Sequence, residues 1–239
     1  MFRKFSMFAL SSVLLFGAVS PALAAEPVAS QVTMSKEEVR EAAQAIAEKY
    51  GMELLPDNSQ NQGIVSEKVS EPIQFKSIEE LDAFMKALVE ADKASSSETQ
   101  NVVTPVPPVP GASASHDGGR EAAAFTRSYT DGQITWYQTL ILGAWSWKNI
   151  YYNYKITWDQ NYSNPGLSGI SNITSGLTGL QAGLSWTQTS ASSSFSKSTA
   201  NLTVKGYYLV GSEVYGVPIG MKYQSTWTNS KTHTFPNWG

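Results

Sequence analysis

All seven tryptophans and ten of the eleven tyrosines of this chain lie beyond Arg120, and most sit in alternating runs. Ile134, Trp136, Gln138, Leu140 and Leu142 share one register. Tyr152, Tyr154, Ile156 and Trp158 share another. Leu202, Val204, Gly206 and Tyr208 alternate with Asn201, Thr203 and Lys205, and Ile219 to Trp227 repeats the pattern. Successive side chains of a strand point to opposite faces. A period of two therefore demands strands with one covered face and one wet face. Asp131-Gly132, Asn164-Pro165-Gly166 and Gly216-Val217-Pro218 supply turns between the runs, and Val210–Val214, centred on Gly211-Ser212, reads as a tight hairpin. The expected fold class is mainly β: an antiparallel β-sandwich or flattened barrel.

Before this region the period is that of a helix. Ser35 and Glu38 form a capping box ahead of Val39, Ala42, Ala43, Ile46, Ala47 and Tyr50, and Gly51 supplies the left-handed stop. Ser77 and Glu80 form a second box, with Ile78, Leu81, Phe84, Met85, Leu88 and Val89 as the apolar stripe. Short strands are expected near Met52–Leu55 and Pro72–Phe75. Each helix has one apolar stripe, so each must cover something. Residues 26–93 read as a small acidic α+β segment, which either docks on the β-domain or is a pro-segment. Residues 94–119 read as a Ser/Pro-rich linker, and residues 120–239 as the aromatic-rich β-domain.

The first 25 residues read as a secretory signal peptide. A basic Phe2-Arg3-Lys4 start precedes an apolar run from Phe5 to Val19, and Pro21–Ala25 carries small residues at the cleavage spacing. The expectation is a secreted, extracellular protein with no stable membrane anchor after cleavage. There is no cysteine, which excludes thiol catalysis, Cys-ligated zinc and disulfide staples together. Residues 26–100 carry 15 acidic and 7 basic residues, and residues 128–239 carry 3 acidic and 6 basic. A weakly basic β-domain without Lys/Arg clusters is no nucleic-acid footprint.

The β-domain is poor in acid–base groups: Asp131, Asp159, Glu213 and His233. Asp159 and Glu213 are the one carboxylate pair worth testing against the geometry of a glycosidase. No Gly-x-Ser-x-Gly elbow appears, and His116 and His233 are too isolated for a metal site. No catalytic residue, metal or cofactor is assigned. The aromatic count exceeds what one thin core needs, so some rings are expected at the surface. Trp145, Trp147, Tyr151 and Tyr162 are the candidates, because they lie near expected loops.

Four short segments carry a resemblance: Ile73–Leu81, Asn172–Ser175, Leu184–Thr189 and Thr203–Tyr208. They are similar to segments of uncharacterised secreted β-rich proteins of Bacillus-like Gram-positive bacteria. The resemblance implies a secreted bacterial origin and no activity. The function expected is a non-catalytic binding protein with a cell-wall or polysaccharide ligand. The alternatives are a membrane-active or pore-forming β-protein and a secreted hydrolase with a pro-segment.

Overall fold

The computed structural model describes residues 34–56, 71–94, 97–103, 125–139, 145–158, 164–180 and 183–235. The elements in order are α1 (Lys36–Tyr50), β1 (Glu53–Leu54), β2 (Ile73–Phe75), α2 (Ile78–Ala94), β3 (Ser97–Val103), β4 (Phe125–Thr139), β5 (Trp145–Trp158), β6 (Gly166–Leu180), β7 (Leu184–Phe195), β8 (Thr199–Val214) and β9 (Val217–Thr234). The fold is mainly β, with antiparallel long strands and a small helical N-terminal segment.

The long β8–β9 hairpin is the spine of a six-stranded sheet. Near its turn β9 pairs with β1 and β8 with β2. Towards its open end β9 pairs with β3 and β8 with β7. Among the described strands two pairings depart from antiparallel order: β2 runs parallel to β8, and β3 parallel to β9. β4, β5 and β6 form a second, three-stranded antiparallel sheet. The expected alternation holds on its inner face, where Ile150, Tyr152, Tyr154, Ile156 and Trp158 are buried. Across the core, Trp136 meets Trp227 edge to face at 5.5 Å, and Tyr154 lies 4.8 Å from the His233 ring.

Both helices form for local reasons and are kept for tertiary ones. At α1 the Ser35 hydroxyl accepts from the Glu38 amide while the Glu38 carboxylate accepts from the Ser35 amide, and Gly51 closes the helix at φ 67°. At α2 the box is displaced: Ser77 accepts from the Glu80 amide, but Glu80 accepts from the amide of Lys76. The apolar stripes of the helices then join the single core cluster that contains Val210, Val214, Ile219 and Met221. Ala-rich α1 would be marginal in isolation, so this burial is what holds it.

Two expectations are corrected. Ser97–Val103, inside the stretch read as linker, is a strand hydrogen-bonded along β9 from Thr228 to Thr234. Nothing in its own pattern demands a strand; the open edge of β9 does. Residues 104–119 lie outside the described residues. The Val210–Val214 hairpin is also wrong: these residues run straight through β8, and the chain turns at Tyr215-Gly216. A two-residue hairpin turn of this type needs positive φ at both centres, and Tyr215 (49°) with Gly216 (78°) provides it.

The centre of the core is polar. Asp92, on the last turn of α2, lies 2.7 Å from the ammonium of Lys148 on the inner face of β5. Its carboxylate also accepts from the hydroxyls of Tyr208 (2.9 Å) and Ser225 (2.6 Å) and from the Trp227 indole (3.3 Å). The Lys148 ammonium lies over the rings of Trp227 (5.2 Å) and Trp136 (5.9 Å). Burial pulls the Lys148 pKa down, and the Asp92 charge pushes it back up. Burial and Asp92 raise the Tyr223 hydroxyl to about 12.

Removing one partner of such a pair leaves the other charge buried, at about 3–5 kcal/mol. Asp92→Ala is expected to destabilise the protein by about that much in urea melts, and adding Lys148→Met is expected to recover part of the loss. His233, 2% exposed, adds a pH dependence. Burial, and secondarily Lys231, lower its pKa from 6.5 to about 4. Between those values the unfolded chain binds a proton that the native state refuses. Stability is therefore expected to fall as pH drops through that window and to level off below it. His233→Phe is expected to flatten this slope, as read from midpoints against pH.

Candidate functional site

Of the four exposed large aromatics among the described residues, Trp147 and Tyr151 share the outer face of β4–β5–β6, while Phe195 ends β7 and Tyr215 sits in the β8–β9 turn. β5 alternates without interruption, so Trp147, Asn149, Tyr151, Asn153 and Lys155 face away from the core. Trp147 is 36% exposed and Tyr151 41%. Gln133 and Thr135 of β4 sit opposite Tyr151 and Asn149, and Thr174, Gly176 and Thr178 of β6 flank β5 on the other side.

Asn149 organises this face. It is only 2% exposed although it points outward. Its amide oxygen accepts from Thr135 (2.8 Å) and Gln133 (3.3 Å). Its amide nitrogen donates to the Thr178 hydroxyl (3.0 Å) and the Trp147 carbonyl (3.1 Å). One side chain thus crosslinks all three strands between the two rings. Beside it Gly176 lacks a side chain between Thr174 and Thr178, and a Cβ built there would meet no atom within 4 Å, so the face is open at this notch. The arrangement offers two exposed rings, amide and hydroxyl groups for hydrogen bonds, and the open position at Gly176 on the neighbouring strand.

Of the four candidates, Trp147 and Tyr151 lie on this one face. Trp145 opens β5, with its side chain outside the described residues, and Tyr162 also lies outside them. Asp159 lies outside them as well. Its proposed partner Glu213 is in β8, accepting a hydrogen bond from Gln74 across the β2–β8 pair at 3.0 Å. His233 is buried against Tyr152 and Tyr154. Among the described residues no three His, Asp or Glu side chains converge as metal ligands would.

The sequence reading missed Asn149 and Gly176. The signal was present: the outward register of β5 reads Trp-Asn-Tyr-Asn-Lys, with polar residues interleaving the rings. Asn149→Ala is expected to cost about 1–3 kcal/mol, because the donors around it lose their acceptor in a buried spot. Tyr151→Ala is expected to cost about 1 kcal/mol or less, since its ring is largely in water. Thermal melts of the two variants compare them directly.

No family model matches the chain, and no curated protein matches it. A crystal structure of a hypothetical protein, lmo2686, from Listeria monocytogenes EGD-e is similar at 17% identity over 50% of this chain and 86% of that one, with a TM-score of 0.18.

Proposed function

We propose that this is an exported, non-catalytic binding protein that engages a polysaccharide, such as one of the cell wall, through the outer face of β4–β5–β6. The observation that carries the reading is the pair of exposed rings, Trp147 and Tyr151, on one rigid strand with a fully bonded asparagine between them. The core uses Trp136, Trp158 and Trp227 with Tyr152 and Tyr208, whereas Trp147 and Tyr151 each keep more than a third of their surface in solvent. Large flat side chains on a strand contribute contact area at small entropic cost. The Phe2–Ala25 pattern supports export, to where polysaccharides are found.

The acid–base groups support a non-catalytic role. Asp92 and His233 are committed to the core, and Glu213 to a cross-strand hydrogen bond. The pore-forming alternative draws on β7, whose residues from Thr189 to Phe195 are all exposed. A lipid-facing hairpin needs an unbroken apolar row, and Ser190, Ser192 and Ser194 on one face with Ala191 and Ser193 on the other supply none.

Pull-down on insoluble cell wall and glycans tests the reading. The wild type is expected to sediment with at least one of them, and Trp147→Ala with Tyr151→Ala to stay in the supernatant while still unfolding cooperatively well above the assay temperature. Dye release from liposomes without glycan binding would favour the pore instead.

A further inference from the structure

The face just described has a direction, a length and a charge, and together these narrow its ligand. Resting on the reading of that face as the binding surface, we propose that the ligand is an extended, uncharged polysaccharide lying along β5 and contacted over several sugar rings, not at a single terminal sugar.

The length comes from the strand. β5 pairs on both sides, and its own alternation is continuous. The irregularities lie in its neighbours. β4 takes an extra residue between Tyr129 and Gly132, and β6 takes one between Ser171 and Thr174, where Asn172 has φ 51°, and another between Leu167 and Gly169. With the bulges displaced to the flanking strands, β5 keeps its outward side chains in one unbroken row. At ~3.4 Å per residue, Trp147 and Tyr151 stand about 13–14 Å apart, and Lys155 lies as far again beyond Tyr151. Stacking requires contact at about 3.5–4 Å. One sugar cannot touch both rings, whereas a chain laid along the strand can.

The charge comes from the flanks. The outward positions of β4 and β6 beside the rings are Gln133, Thr135, Thr174 and Thr178, which offer both donors and acceptors. Among the described residues, the outward face carries no carboxylate apart from Asp131 in the β4 bulge, and β5 contributes one cation, Lys155. Recognition of a polyanion uses clustered or bidentate cations, and one exposed lysine is neither. Hydroxyl-rich neutral sugar fits amides and hydroxyls between aromatic faces. The notch over Gly176 then receives a group projecting from the ring seated between Trp147 and Tyr151.

Gly176 also supplies the control. Its φ is not in the left-handed region, and a Cβ there meets nothing within 4 Å. Gly176→Val therefore fills the notch with a residue that strands favour and leaves the core untouched.

The test is affinity electrophoresis of the full chain in gels containing hydroxyethylcellulose, xylan, mannan or polygalacturonate, with melting curves for every variant. The expected result is retardation by at least one neutral polymer that persists in high salt. It should weaken about ten-fold or more in Trp147→Ala/Tyr151→Ala and in Gly176→Val, with oligosaccharides competing and the free monosaccharide not competing. Retardation by polygalacturonate alone, lost in salt and in Lys155→Gln, would overturn the neutral ligand; if it also needs Trp147 and Tyr151, the binding face stands. Competition by the monosaccharide as strong as by the oligomer would overturn the multi-ring contact and leave the face in place. Retardation unaffected by all the face variants, or no retardation in any gel, would overturn both the inference and the reading beneath it.

Discussion

The Asp92 carboxylate joins three parts of the structure at one buried point. It belongs to the end of α2, its ion-pair partner Lys148 to the three-stranded sheet, and Tyr208, Ser225 and Trp227 to the six-stranded sheet. A buried ion pair is rarely a large net source of stability, because desolvation offsets the attraction. Its effect is on specificity. A carboxylate with an ammonium, two hydroxyls and an indole around it tolerates few alternative packings of helix and sheets. The helical segment is thereby built into the core and adds β1 and β2 to the larger sheet as well.

The aromatic layer depends on the same point. Trp186 of β7 stacks on Trp227 at 3.9 Å and meets Tyr208 edge to face at 5.0 Å. It reaches them because residue 206 is glycine: a Cβ there would lie 2.5 Å from the Trp186 ring and 2.4 Å from the Thr187 carbonyl oxygen. Trp186 then donates to the Ser175 hydroxyl of β6, which donates to Gln188 of β7. On the opposite edge, Gln100 and Lys231 donate to the Thr135 and Gln133 carbonyls of β4. The two sheets are thus stitched at both sides by side chains, not by a continuous ladder, which also masks open strand edges.

Much of this was legible in the chain. Both helices follow from capping and stripe, and the long strands follow from alternation, since those signals are local. What the sequence hid was set at long range. β3 has no periodic pattern and exists because β9 offers an edge. The hub was visible only as two anomalies: Asp92 falls four residues after Leu88 on an apolar stripe, and Lys148 occupies the inward register of Ile150 and Tyr152. A charge on a core register at one place suggests an error in the pattern. Two of opposite sign suggest a pair, but only the fold brings them together. The outward face was partly legible, because Trp147 and Tyr151 share a register. Asn149 and Gly176 gain their roles from cross-strand neighbours that register alone fixes.

The exposed rings bind as a platform only if the strand beneath them is rigid, and that rigidity rests on the helices and sheets folding as one unit around Asp92. Urea unfolding of the full chain, followed in parallel by helical circular dichroism and by tryptophan fluorescence, measures this directly. The tryptophans report the sheets, and the helical signal reports α1 and α2. A single unit gives coincident transitions with one midpoint. Loss of the helical signal at lower urea, with tryptophan emission still native, would contradict the account by showing that the sheets stand without the Asp92 segment.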